Sequence, residues 1–320
     1  MITYHPVQAE AGAPPPDGTV WIDLLEATEA EVEMIEAHVG HHLPTREQLA
    51  EIQQSSRQLF KNGVLRLSAP MLAVGDNKTG PHLTQVGLVL TPQLLITVRD
   101  QHLQIFEAVA ESSCGPHAPT SSPLVFTALL EAFVDRQADL LEEARAHLDE
   151  VSHAVFRVSS TSPRRIAQTT MIMRRKLQTL GRVGERISLI RESLLTVDRA
   201  VPFTHEATKD WFAPDLVHRL GDVRADVESL NQFEEHLLGK VQFLLDAVLG
   251  FIGIEQNDIF KVLTVASVVG IFPTLVAGWY GMNFHNMPEL GWAYGYQFGI
   301  GAIILSTIIP LAWFKWRGWM

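Results

Sequence analysis

Residues 278 to 297, GWYGMNFHNMPELGWAYGYQ, separate two long uncharged runs near the C-terminus. The runs extend from Val262 to Tyr280 and from Tyr294 to Phe314, and Glu289 is the one charged residue between positions 262 and 314. About 20 apolar residues are enough to cross the hydrocarbon core of a bilayer. The two runs therefore predict a pair of membrane-spanning helices joined by a short loop.

Basic and aromatic residues predict how this pair is oriented. Lys261 precedes the first run, Lys315 and Arg317 follow the second, and the loop contains no Lys or Arg. Because Lys and Arg collect on the cytoplasmic side, both ends of the pair are expected inside and the loop outside. The N-terminal residues lack a signal-peptide pattern, which agrees with a cytoplasmic N-terminus. Two aromatic belts are expected from Trp279, Tyr280, Trp292, Tyr294, Tyr296, Trp313, Trp316 and Trp319.

Composition limits the possible partners and chemistry. The 320 residues have a net charge of −11, which argues against a nucleic-acid partner, since phosphate binding requires a basic surface. Cys114 is the single cysteine, so no intrachain disulfide is expected. No nucleophile–base or paired-carboxylate pattern is present, and residues 75–81 lack the spacing of a phosphate-binding loop. The protein is therefore not expected to be an enzyme or to hold a resident cofactor.

The first 121 residues predict an α/β domain. Residues 27–40 have apolar residues at helical spacing, with Thr28 and Glu31 as a capping pair and Gly40 as the terminator. Short segments rich in Val, Ile and Leu, bounded by turn residues, predict strands at 19–24, 64–72, 84–91 and 94–100.

Beyond residue 120 the pattern is helical. Ser122-Pro123 and Ser162-Pro163 predict two helix starts, each a serine N-cap before proline. The first helix, about 123–156, is acidic and the second, about 163–200, is basic, which favours an antiparallel hairpin with complementary faces. A basic face meeting lipid or nucleic acid is the alternative. A third helix begins near Pro214 and continues without a turn signal into the first apolar run, as a stalk about 90 Å long.

The polar residues of the first span fall on one face. Steps of three and four residues place every serine and threonine of the span on a single seam, which consists of Asn257, Phe260, Thr264, Ser267, Ile271, Thr274 and Gly278. Such a seam is common where two membrane helices pack together. Alternatively, several copies arranged around an axis would turn their seams inward, so that the seams line a narrow water-filled path. Pro273 also frees the carbonyl of Val269, which then needs a partner or water.

Several of these residues resemble a known family. Tyr280-Gly281-Met282-Asn283-Phe284, followed by Met287-Pro288-Glu289-Leu290, resembles the signature of the CorA family of magnesium transporters. The segments at 250–269, 272–284 and 314–320 resemble the family's stalk, pore-helix end and basic tail. The segments at 20–36 and 44–57 resemble its enteric branch.

The resemblance implies a funnel-shaped homopentamer with a cytoplasmic α/β domain, a helical hairpin, long stalk helices and two C-terminal spans, an α+β protein overall. Its function would be Mg²⁺ uptake driven by the membrane potential, with Co²⁺ and Ni²⁺ as further cargo, and intracellular Mg²⁺ would favour closure. Domain limits are then 1–121 (α/β domain), 122–201 (hairpin), 202–261 (stalk), 262–283 (first span), 284–293 (loop), 294–314 (second span) and 315–320 (tail).

The resemblance also assigns roles to residues of this chain. Gly281, Met282 and Asn283 would form the external entrance and selectivity ring, and Glu289 would attract cations in the loop. The pore wall would include the seam residues together with Leu263, with Leu263 and Ile271 among its apolar constrictions. Lys261, Lys315 and Arg317 would form a basic collar, and Asp222 with nearby Asp226 would bind regulatory magnesium.

Two departures from the family leave alternatives open. The hairpin tip at 156–165 is basic rather than acidic, and His285 lies in the loop. Imidazole suits zinc, nickel or cobalt better than magnesium. A proton-coupled zinc transporter of the same superfamily is therefore one alternative. A membrane-anchored sensor or scaffold without conduction is the other.

Overall fold

Two compact units make up this computed structural model, which describes residues 1–6, 14–49, 57–73, 80–112, 120–158, 166–282 and 287–319. The first unit comprises Met1–Ala154 and Gln178–Leu244. The second comprises Val155–Leu177 and Leu245–Met320. Three long helices contribute residues to both units, and each unit is described by itself.

In the described part of the first unit, six strands form one mixed sheet with the order β1-β2-β6-β5-β4-β3. Strands β2 and β6 are parallel, and the other neighbours are antiparallel. All four predicted strands are confirmed, whereas β1 and β3 were not predicted. Both are four-residue edge strands, too short to show a period, and β3 is largely exposed. The bounds are β1 Ile2–His5, β2 Trp21–Leu25, β3 Gln58–Lys61, β4 Val64–Ala73, β5 His82–Leu90 and β6 Leu95–Arg99.

Helix α1 (Glu29–Val39) packs on one face of this sheet around a core that includes Tyr4, Ile35 and Ile96. Its predicted caps are confirmed. The Thr28 amide donates to Glu31 Oε2 at 2.9 Å, and the Glu31 amide donates to Thr28 Oγ1 at 3.3 Å. Gly40 ends the helix in the left-handed conformation, with φ of 74°.

A buried ion pair joins the two parallel strands. Arg99 Nη2 donates to Asp23 Oδ2 at 2.7 Å, and Thr97 Oγ1 donates to Asp23 Oδ1 at 2.6 Å. Trp21 Nε1 in turn donates to Thr97 Oγ1 at 3.0 Å. The carboxylate thus has donors on both oxygens, which offsets the cost of burying the charge.

Among the described residues, α1 is followed by α2 (Arg46–Leu49), α3 (Gln104–Ser112), α4 (Ser122–Val158), α5 (Ile166–Ala207) and α6 (Pro214–Tyr280). The 67 residues of α6 correspond to a length of about 100 Å. One predicted cap is wrong. Ser122 is the first helical residue, and its hydroxyl donates to the carbonyl of Thr91 at 2.7 Å, while the carbonyl of Ser121 accepts from the first helical amides. The second predicted cap, Ser162-Pro163, lies outside the described residues.

Ion pairs join the acidic helix α4 to both of its neighbours. Arg186 on α5 donates to Glu143 at 2.6 Å, as the complementary faces predicted. Two other acids of α4 pair with α6 instead, namely Glu131 with Arg219 and Asp149 with Lys240. The sequence predicted the α4–α5 contact but not that α6 shares this acidic face.

The second unit contains the two apolar helices. The C-terminal part of α6 and helix α7 (Gly295–Trp316) have apolar windows with mean hydropathies of 2.0 and 1.7, of which 0% and 6% is buried. A short 3₁₀ helix, Pro288–Gly291, precedes α7. Helices that are long enough to span a bilayer and whose apolar side chains remain uncovered are typical of segments that face lipid.

Candidate functional site

Every residue of the seam is exposed on α6. Phe260 and Ile271 have exposures of 65% and 58%, and neighbouring Leu263 has 60%. The hydroxyl- and amide-bearing positions Asn257, Thr264, Ser267 and Thr274 are exposed in the same way, as is Gly278. The seam is therefore uncovered within a single chain.

The opposite face of α6 is the partly covered one. Its half-buried residues in the span are Val265, Val268, Val269, Pro273 and Val276. On α7 the half-buried residues also fall on one face, which includes Gly299, Ala302, Ile303, Ser306, Thr307 and Pro310. The pattern indicates that α7 lies against this side of α6. At about 100° per residue, the seam points on the order of 150° away from it.

Two threonines of the seam have their hydroxyl hydrogens engaged by their own helix. Thr264 Oγ1 donates to the carbonyl of Phe260 and Thr274 Oγ1 to that of Gly270, both at 2.8 Å. Each oxygen keeps its lone pairs, and both side chains are exposed. These hydroxyls consequently present hydrogen-bond acceptors, not donors, to any water or polar group that contacts the seam.

A close backbone contact marks the end of α6. The Gly281 amide donates to the carbonyl of Ala277 at 2.9 Å, and the Met282 amide donates to that of Trp279 at 3.3 Å. A Cβ atom added at Gly281 would lie 3.2 Å from the Ala277 oxygen, so any larger residue here requires that carbonyl to shift by a few tenths of an ångström. Asn283 and His285 lie outside the described residues, as does the Glu289 side chain.

The basic residues at the ends of the spans differ in their partners. Lys261 Nζ donates to Asp258 Oδ1 at 2.8 Å, so its charge is paired within α6. Lys315 lies in the last turn of α7, and the Arg317 guanidinium lies 5.4 Å from the ring centroid of Trp313. Of the three residues predicted to form a basic collar, Lys261 is thus neutralised by a carboxylate of its own helix. Lys315 and Arg317 lie at the end of α7, where Arg317 contacts an aromatic ring.

The candidate regulatory carboxylates lie on the part of α6 that belongs to the first unit. Asp222 and Asp226 are both exposed. Asp222 Oδ2 lies 3.1 Å from His218 Nδ1, one turn earlier on the helix. Within the described residues, no group of three or more His, Cys, Asp or Glu side chains could hold a metal ion.

The exposed face of α6 extends further than the sequence analysis took it. Continuing the same steps toward the N-terminus reaches Gly253, Gly250 and Asp246, and all three are exposed. The same spacing is visible in the sequence. The seam from 257 to 278 contains no carboxylate, whereas its continuation contains Asp246.

The α/β sheet, the long helices and the two uncovered apolar helices define an integral membrane protein whose polar stripe faces away from its second span. The sequence profile described as "CorA-like Mg2+ transporter protein" matches residues 16–316, and the chain belongs to this family. The predicted family is thus confirmed.

Known relatives are similar to this chain over nearly its whole length. The magnesium transport protein CorA of Pasteurella multocida (strain Pm70) is 30% identical over 305 residues, which cover 95% of this chain and 93% of that protein. CorA of Escherichia coli (strain K12) is 30% identical over 306 residues, which cover 94% and 92%. The solved CorA magnesium transporter of Methanocaldococcus jannaschii shares the fold, with a TM-score of 0.76 at 15% identity, over 100% of this chain and 98% of that one.

Proposed function

We propose that the chain assembles as a funnel-shaped homopentamer in the bacterial inner membrane and conducts Mg²⁺ into the cell, with both termini in the cytoplasm. The first spans surround a central path and the second spans form an outer ring. Family membership supports this proposal. The structural observation that supports it most is the exposed polar seam on α6, opposite the half-buried face of the same helix. This seam would face lipid unless neighbouring copies cover it.

Neutral acceptors on the seam suit the cargo. Magnesium prefers octahedral oxygen coordination and loses its water reluctantly. Hydroxyl oxygens at Thr264 and Thr274, whose hydrogens bond back to the helix, accept hydrogen bonds from the waters of a hydrated ion. A carboxylate ring at these positions would bind the ion too firmly for release, whereas conduction requires weak binding.

The membrane potential supplies the driving force in this proposal. A divalent cation moving inward gains about 4.6 kcal/mol across a potential of roughly 100 mV. Asn283, with Gly281 and Met282, would form the external selectivity ring, and Glu289 would concentrate cations before it. Cobalt and nickel are expected to follow the same path.

Intracellular magnesium would close the path by a population shift. Asp222 and Asp226 are exposed on α6, where carboxylates of neighbouring copies could share a cation. A cation that binds the closed arrangement better favours it in proportion to that difference in affinity. Asp222→Asn should therefore leave more flux at high internal magnesium than the wild type shows.

The proposal is tested by flux into liposomes that contain the full chain and a magnesium indicator. Uptake should rise with an inside-negative potential. Thr274→Val should lower it about tenfold, because the loss of these acceptors costs on the order of 1 kcal/mol in total where water replaces part of each lost hydrogen bond. Asn283→Ala should abolish selectivity or flux.

Thr307→Val is the matched control. Thr307 also donates back to its own helix, to the carbonyl of Ile303 at 3.1 Å, but it lies on the half-buried face of α7. Equal loss of flux in both variants would contradict a path along the seam. Uptake of Zn²⁺ that depends on a pH gradient would favour the zinc transporter, and no flux of any divalent ion would favour the scaffold.

A further inference from the structure

The C-terminal end of α7 forms an ordered cap. Gly318 has φ of 74°, its amide donates to the carbonyl of Lys315 at 3.1 Å, and the Trp319 amide donates to that of Phe314 at 3.0 Å. These two bonds are those of a Schellman motif, which requires a left-handed residue such as glycine. The motif folds Trp319 back so that its ring stacks on buried Phe314, with centroids 5.4 Å apart. We call residues 313–319 the C-terminal cap.

The cap presents two cations, neither of which pairs with an acid in the described part of the chain. Among the described residues, neither Lys315 nor Arg317 has a carboxylate within ion-pair distance. Arg317 instead lies over the Trp313 ring. Lys261, the basic residue before the first span, differs in that Asp258 neutralises it. A chain with 36 acidic and 25 basic residues has enough carboxylates to pair these cations, and the cap leaves both exposed.

The position of the cap determines which anion is available. It comprises the last turn of a 22-residue apolar helix and the three residues after it, so it lies where the hydrocarbon core gives way to headgroups. Trp316 is 82% exposed and Trp313 46% exposed, and tryptophan prefers this interfacial layer. Arginine binds phosphate oxygens through a planar fork of donors, and the stacked Trp313 ring restricts its orientation.

We propose that the C-terminal cap is a binding site for the phosphate of an anionic phospholipid in the leaflet at this end of α7. Lys315 and Arg317 bind the phosphate oxygens, and the exposed indole rings lie against the acyl-chain boundary. Trp319 and Phe314 hold the turn that places Arg317. The site depends on α7 crossing the bilayer and not on ion conduction, so it stands or fails separately from the proposed transport.

The test measures lipid affinity of the full chain in neutral detergent micelles by native mass spectrometry, with phosphatidylglycerol as the probe and phosphatidylcholine for comparison. Lys315→Gln with Arg317→Gln should weaken phosphatidylglycerol binding about thirtyfold, the equivalent of about 1 kcal/mol for each basic residue. Gly318→Ala should weaken it while both charges remain, because alanine disfavours the left-handed turn.

Lys61→Gln with Arg224→Gln is the matched control, since it removes two exposed cations elsewhere on the chain. This control should bind phosphatidylglycerol as the wild type does. Equal affinity for the two lipids, or an equal loss in the control, would overturn the proposal. Inorganic phosphate is the second arm: if it displaces the lipid at millimolar concentration, the site is a free-phosphate site and the lipid assignment is wrong.

Discussion

Glu234 is a buried carboxyl in the helical part of the first unit. Its residue exposure is 2%, its Oε1 atom has no hydrogen-bond partner among the described residues, and its Oε2 atom lies 3.9 Å from Arg191 Nε. Burial raises the pKa of this carboxyl, the nearby Arg191 lowers it, and the charge of Glu235 raises it slightly further. The protonated form is thus favoured by folding.

This shift has a definite sign for stability. Because the folded pKa lies above the unfolded value, the protonated carboxyl stabilises the fold below the unfolded pKa, and the contribution is lost as the pH rises through the folded pKa. Glu234→Gln, an uncharged side chain of the same shape, should raise the unfolding temperature at about pH 8 and change it little at about pH 5. Thermal unfolding of the full chain in detergent, followed by circular dichroism, measures this.

Exposed Glu228 on the same helix provides the control, since Glu228→Gln removes a solvent-exposed charge and leaves the buried carboxyl of Glu234 in place. A difference between wild type and Glu234→Gln that stays constant with pH would show that the carboxyl does not titrate in this way. No local pattern indicates that Glu234 is buried, because an isolated glutamate in a helix is usually solvated. Its burial follows from α5 packing beside α6.

At the scale of elements, the turn that ends α6 leaves little room for a side chain at Gly281. Gly281→Ala places a methyl group 3.2 Å from the carbonyl oxygen of Ala277. Moving that backbone aside should destabilise the final turn by on the order of 1 kcal/mol. Hydrogen exchange at the amides of Gly281 and Met282 should then be about fivefold faster, as measured by mass spectrometry on peptides from this region.

Gly270→Ala tests whether the effect is local. A Cβ at Gly270 has nothing within 4 Å outside the neighbouring backbone of its own helix, and alanine is the better helix former in a helix interior. Its exchange should be unchanged or slower. Unchanged exchange in Gly281→Ala would mean that the glycine of this signature has another purpose than the tight backbone contact.

The elements themselves were largely predictable, for reasons that lie within each segment. The capping pair Thr28–Glu31, the terminating Gly40 and the uncharged spans depend on neighbours in sequence, and all are seen. Edge strand β3 was missed because QLFK is too short to show a period. The role of Ser122 was wrong because its partner, Thr91, is 31 residues away.

For the whole molecule, the proposed assembly makes a separate prediction. Native mass spectrometry of the full chain in mild detergent should show a particle of five copies. Thr274→Val should keep this assembly while it lowers flux, because both side chains are β-branched and of similar shape, and the hydroxyl that is lost lies on the exposed seam. A monomer or dimer as the largest species would contradict the homopentamer.

The sequence by itself determined the local and periodic features: the strands and helices, the two spans, the polar seam and the resemblance to the CorA family. These follow from side-chain spacing along one segment, which the chain order contains directly. Only the tertiary structure decided which face of α6 is covered, which cation is neutralised and which carboxyl is buried. Such features depend on residues distant in sequence, as in the pairing of Asp23 with Arg99 across 76 positions, and no local pattern specifies them.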